Sequence, residues 1–165
     1  MKSLTFHSRC ALLARKTIAC ALSVLMACGD LTAAVAPLQE AVRLWESMGH
    51  KSATYARLEL ALVHLSCGDG DAAARAAQAG VSAALQSDRP ALAWALEFVA
   101  ALAREDGEAL GVLAHRRPDS GLDLSQREGL EQAFRQVSER SDDPLIAKLA
   151  PAYLAAFASD EDGGT

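Results

Sequence analysis

A shift of 39 residues brings this sequence onto itself. The segment "VLMACGDLTAAVAPLQEAV" at 24–42 falls on "VHLSCGDGDAAARAAQAGV" at 63–81, and eight of the 19 aligned positions are identical, including Cys28/Cys67, Gly29/Gly68 and Asp30/Asp69. A third step of 39 lands Gly68 on Gly107 within "REDGEALGVLA", keeping the turn and little else. A period of this size is the mark of a stacked array, because one short unit cannot bury its apolar face alone. Within each copy a helix closes on Gly, which tolerates the left-handed conformation, and the Asp that follows can accept from the N–H groups opening the next helix. Return turns fall at "SMGHKS" and "QSDRPA", where Pro90 suits a first helical turn. The expected fold is therefore all-α, a tetratricopeptide-like right-handed superhelix of antiparallel helix pairs with about seven helices. These are placed near 15–28, 31–48, 53–67, 70–86, 90–105, 125–140 and 144–158.

The 35 alanines and few aromatic residues fit closely packed helices. The division expected is a partial preceding repeat or N-terminal cap over 1–14, three repeats of period 39 over 15–119, capping helices over 120–158 and a disordered acidic tail over 159–165. In the capping region Ser125 and Glu128 have the spacing of a capping box, with Leu130, Phe134 and Val137 on one face. The last helix carries a stripe of Leu145, Leu149, Tyr153 and Phe157. Pro37 and Pro151 fall inside predicted helices and are expected to kink them.

The same repeat bears on the location of the protein. Leu25-Met26-Ala27-Cys28 could close a secretory signal, since Lys2, Arg9, Arg15 and Lys16 precede an uncharged run of 13 residues, Thr17 to Gly29. Yet the Cys-Gly-Asp triplet recurs at Cys67, where no signal peptidase acts. The reading preferred is a cytoplasmic protein with Cys28 at a helix end. The alternatives are an exported lipoprotein anchored through Cys28 and a truncated regulator remnant.

No residues are arranged for recognisable chemistry. Cys10, Cys20, Cys28 and Cys67 lack Cys-x-x-Cys spacing, and His7, His50, His64 and His115 have no partner spacing for zinc, so the thiols read as reduced core residues. Asp106 and Glu108 flank a turn as solvated capping charges, His64 is a packed histidine, and Trp45 belongs to an inter-repeat core. No catalytic residue, metal or cofactor is expected. The formal net charge of −5 speaks against a nucleic-acid surface.

The copies resemble tetratricopeptide repeats, with Ala34 and Ala73 where that family packs its helix pair and Leu38 and Ala41 at the next signature positions. The third copy departs, with Arg116 and Asp119 there. More narrowly, "ALAWALEFVAALAREDGEALGVLAHRRPDSG" followed by "SQREGLEQAFRQV" resembles the C-terminal part of bacterial LuxR-type and SARP-type transcriptional regulators, covering most of 15–158. The resemblance implies the sensor end of such a regulator. No Gly-x-x-x-x-Gly-Lys-Ser/Thr loop is present, so ATP hydrolysis is not implied. The stretch "LSQREGLEQAFRQVSERSDDPLIAKL" shares its opening with a helix-turn-helix but leads into no basic recognition helix.

The function expected is binding without catalysis. In an array of this kind the first helices line a concave groove. The 39-residue phase brings Lys16, Tyr55 and Trp94 to one position, Leu58 and Glu97 to another, and Leu65 and Arg104 to a third. Such a row would hold a protein, a peptide or a small effector. Counting back one period from Gly29 places the preceding turn before Met1, so the first helix is expected to offer an open edge. Leu12, Leu13, Ile18, Leu22 and Leu25 form that edge, which would support a homo-oligomer.

Overall fold

The computed structural model describes residues 31–158. Over that range the chain forms seven helices and no strand: α1 (Thr32–Ser47), α2 (Ser52–Ser66), α3 (Gly70–Gln86), α4 (Pro90–Ala103), α5 (Gly107–His115), α6 (Leu124–Arg140) and α7 (Pro144–Ala158). The all-helical expectation holds. The expected helix 15–28, the edge residues Leu12, Leu13, Ile18, Leu22 and Leu25, Lys16, Cys28 and the acidic tail lie outside the described residues. Helix α5 was not among the expected segments. It has nine residues and stops ahead of Arg117-Pro118, where the residue before proline is steered away from helix.

Four successive turns close in one way. The N–H five residues beyond an end-of-helix carbonyl bonds back to it: His50 to Trp45 (2.8 Å), Asp69 to His64 (2.9 Å), Arg89 to Ala84 (2.9 Å) and Asp106 to Ala101 (3.0 Å). The residue ahead of each donor is left-handed: Gly49 (φ 60), Gly68 (φ 81), Asp88 (φ 53) and Glu105 (φ 52). This is the Schellman arrangement, which satisfies the last carbonyls of a helix. It also corrects the register of the repeat. Gly49 and Asp88 keep the 39-residue step, but the counterpart of Gly68 is Glu105, a step of 37. Gly107 instead matches Gly70.

The corrected step aligns Asp69-Gly70-Asp71-Ala72 with Asp106-Gly107-Glu108-Ala109. In each, the first Asp caps its helix: Ala72 N–H donates to Asp69 and Ala109 N–H to Asp106, both at 3.0 Å. Each glycine permits a close approach. A Cβ on Gly70 would lie 2.6 Å from the carbonyl oxygen of Ala103, and one on Gly107 would lie 2.6 Å from both Leu145 Cβ and an Asp143 oxygen.

The short turns make α1, α2, α3 and α4 sequential neighbours. A small core joins Leu38, Val42 and Trp45 of α1 to Ala53, Ala56, Leu60 and Val63 of α2, so Trp45 is core as expected. The main core surrounds α4, whose sequence "PALAWALEFVAALA" is apolar on every side. Eleven of its 14 residues are buried, the pattern of a helix enclosed all round. It packs against α2, α3, α5 and α6. Ala73, Ala77, Gly80 and Ala84 let α3 lie close against it.

Helix α6 does more than cap an end. It rests on both α2 and α4, while α7 rests on α5 and α6. Leu130, Phe134 and Val137 are fully buried as the stripe predicts. Phe98 of α4 meets Phe134, Tyr153 and Phe157 at ring separations of 6.0, 5.1 and 5.9 Å. The capping box is Asp123 with Gln126, two residues ahead of the expected pair: Gln126 N–H donates to Asp123 Oδ1 (2.9 Å) and Asp123 N–H to Gln126 Oε1 (3.0 Å). The helix starts at Leu124, and Ser125 and Glu128 are exposed. On α7 the buried stripe runs through Ile146 in place of Leu145, which is displaced to the surface beside Gly107. Helices α1 and α7 both continue past Pro37 and Pro151. Cys67 is exposed just beyond the end of α2, contrary to the core-thiol expectation, because a helix-ending position points its side chain to water.

Candidate functional site

The groove expected along the first helices is filled from within. Helices α2 and α4 are the first helices of their pairs, and α6 is seated on both. Leu58 and Leu65 are fully buried in the main core, and the Trp94 side chain is 4% exposed. Its indole N–H donates to the Leu113 carbonyl at 2.9 Å and its ring stacks on Phe98 at 5.1 Å. These three residues are core residues, because the C-terminal helices cover the face on which the repeat phase places them. Tyr55 is half-buried, with the Arg89 guanidinium 4.7 Å above its ring. Leu65 corresponds to Leu102 rather than Arg104: Gly68 N–H bonds to Leu65 and Glu105 N–H bonds to Leu102, both at 3.0 Å.

Glu97 and Arg104, also on that predicted row, do meet at one surface. Both line an open groove of about 560 Å³ between α3, α4 and α5. Its origin is geometric. Helices α3 and α5 flank α4 without touching one another, which leaves a channel floored by α4. The floor is made of Ala100 and Ala101 of α4, with Leu113 of α5 beside them, all buried. Gln78, Val81 and Ser82 form the α3 wall, and Ala109, Val112 and Arg116 form the α5 wall. Val112 is 58% exposed, an apolar side chain left facing the channel.

The rim is charged. Arg116 lies 3.6 Å from Glu97, a long contact on the surface. Asp106 has one oxygen committed to the N-terminus of α5. Arg104 stands just past the last turn of α4, where a cation suits the helix dipole. The wall residues Val81, Val112 and Arg116 escaped the sequence reading because it assigned the binding face to first helices. One signal for them existed, since Val81 repeats Val42 across the 39-residue step.

Groups with shifted acidity lie elsewhere. Burial pushes the Glu59 carboxyl up, with help from the negative charge of Asp123. Burial also raises the Tyr153 phenol, against the opposing effect of Arg117. Neither lines the groove. Among the described residues no group of three or more His, Cys, Asp or Glu could hold a metal ion, and no helix is long and apolar enough to cross a membrane. What the groove offers is shape: a shallow apolar bed with two arginines and two carboxylates at its edge. No protein-family model, curated protein or solved structure matches this chain.

Proposed function

We propose that this protein is a non-enzymatic, cytoplasmic helical-repeat module that binds a protein or peptide segment in the groove between α3, α4 and α5. The observation that carries the reading is the groove itself, an exposed Val112 over a bed of Ala100, Ala101 and Leu113 between two helices that do not touch. Recurring peptide recognition takes this form, with an apolar face laid into a groove and polar groups fixing its register. Arg104, Arg116 and Glu97 supply such groups, and arginine is a frequent binding hot spot. The helix-pair repeat and its Asp-Gly caps support kinship with tetratricopeptide-like arrays, and the resemblance to LuxR-type and SARP-type regulators favours a sensor role.

Selection of twelve-residue displayed peptides against the full chain tests this reading. The chosen peptides are expected to lose at least about tenfold in affinity on Val112→Asp, since burying a charge in an apolar contact is costly. Leu124→Asp, an exposed site on α6, serves as the control. Peptides that bind both variants alike, or a selection that yields none, would remove the groove from consideration. Self-association through Ile18 and Leu22 belongs to the same proposal; light scattering of an Ile18→Glu, Leu22→Glu variant against the parent tests it.

A further inference from the structure

We propose that the groove is also the docking site of the chain's own acidic segment, Ser159-Asp160-Glu161-Asp162, which turns back over Arg116 and Arg104 and competes there with an outside partner. The proposal rests on the reading of the groove as a binding surface. Three observations lead to it.

The first is position. Phe157, on the last turn of α7, is buried, and its ring lies 5.3 Å below the Arg117 guanidinium. The chain therefore leaves α7 beside the basic run His115-Arg116-Arg117 that ends α5. An extended backbone covers about 3.3–3.6 Å per residue, so residues 160–162 sweep roughly 7–14 Å beyond Ala158. Arg116 is next to Arg117 in sequence, and its side chain lines the groove.

The second is charge. Three carboxylates fall within four residues of the segment. On the receiving rim, the acids already have occupations. Asp106 accepts from Ala109, and Glu97 faces Arg116 across 3.6 Å. The rim's two arginines and two carboxylates balance, and Arg104 is the one of the four charges with neither an ion-pair nor a hydrogen-bond partner among the described residues.

The third is tethering. Exposed carboxylate–arginine pairs are individually weak. A short tether raises the effective concentration of the segment to the millimolar range, which lets weak pairs be populated. An outside ligand then sees only the fraction of molecules whose groove is open.

Amide NMR of the full chain tests the proposal by comparing the parent with the triple variant Asp160→Asn, Glu161→Gln, Asp162→Asn. Shifts at Arg104, Val112, Leu113 and Arg116, independent of protein concentration and reproduced in the parent by 0.5 M salt, are expected. The synthetic peptide FASDEDGGT added to the triple variant should move the same resonances back, and Arg116→Gln should abolish that response. Unmoved groove amides overturn the proposal, and shifts that vary with protein concentration overturn it in favour of a second copy's segment. The displayed peptides described above should bind the triple variant roughly fivefold more tightly, as expected if the groove is covered about 80% of the time. Amide shifts without peptide binding leave self-docking standing and remove the outside partner. Peptide binding that the triple variant leaves unchanged does the reverse.

Discussion

Tyr153 on α7 donates its hydroxyl to the main-chain carbonyl of Leu110 on α5, at 2.5 Å across 43 residues of sequence. Both groups are buried, and this bond fixes α7 against α5 together with the one that Gly107 N–H donates to Asp143 Oδ2, just ahead of α7, at 3.2 Å. Tyr153→Phe keeps the ring against Phe98 and Phe134 and removes only the hydroxyl. Urea unfolding should show a loss of about 1–2 kcal/mol, the range for deleting one partner of a buried hydrogen bond.

The same phenol has a signature in alkali. Its acidity is weakened by burial, so its folded-state pKa lies above the usual value of 10.0. For a group raised on folding, the stabilising contribution is complete below the unfolded pKa and is lost as pH rises through the folded one. Parent stability should therefore fall more steeply above about pH 10 than that of Tyr153→Phe, as followed by thermal melts across that window.

Glu59 titrates in the opposite part of the scale with the same sign. Burial and the Asp123 charge raise its carboxyl above 4.5, so protonation favours the folded state and stability from this residue declines as pH rises through its folded value. Glu59→Gln should flatten the stability profile as pH rises above 4.5. Asp123→Asn should flatten it partly, while keeping an oxygen to cap α6. A parent profile identical to that of Glu59→Gln would sink the assignment.

Two glycines should respond oppositely to alanine. Gly70→Ala drives a methyl to 2.6 Å from the Ala103 carbonyl oxygen, a backbone atom that cannot swing aside. A loss of about 1–3 kcal/mol is expected from overpacking. Gly111, inside α5, has nothing within 4 Å of an added Cβ. Gly111→Ala should gain about 0.5–1 kcal/mol from helix propensity. Chemical denaturation of the two variants beside the parent decides both.

The left-handed turn residues give a further contrast. Asp88 (φ 53) occupies a conformation that costs an ordinary residue about 1–2 kcal/mol, of which Gly relieves most and returns part as unfolded-chain entropy. Asp88→Gly should raise stability by about 0.5–1 kcal/mol. Glu105→Gly should gain less, because Glu105 also accepts a 2.8 Å bond from the Ser141 hydroxyl. Equal gains in thermal melts would mean that the Ser141 bond contributes nothing.

Local signals in the sequence carried the helices well. Pro90 opens α4, Asp69 and Asp106 cap their helices, and Leu130, Phe134 and Val137 face inward as their spacing demands. What failed was long-range. The 39-residue step was fitted on Gly68 and Gly107, two glycines with different tasks: one takes a positive φ, the other makes room for α7. A non-glycine left-handed residue such as Glu105 gives no compositional warning, so the true 37-residue step was hidden. The site was missed for a related reason. Helix periodicity tells which residues turn inward, but not that α6 would settle on the face shared by α2 and α4. Trp94, Leu58 and Leu65 have the chemistry of a binding row and the burial of a core. Glu97 and Arg104 were found through the right helix and a misregistered repeat.

In an ordinary repeat array each unit touches only its neighbours, so the stack can melt from either end one unit at a time. Here Gly129 of α6 sits against Leu62 of α2, joining segments nearly seventy residues apart in the chain. That contact cannot form until α3, α4 and α5 have been laid down between them, and it cannot be lost without exposing the face of α4. Residues 52–158 should consequently unfold in one cooperative transition, with hydrogen exchange in α2 as slow as in α6. The cost of this closure is kinetic, since a contact of such sequence separation forms late and slows folding relative to an open stack of the same size.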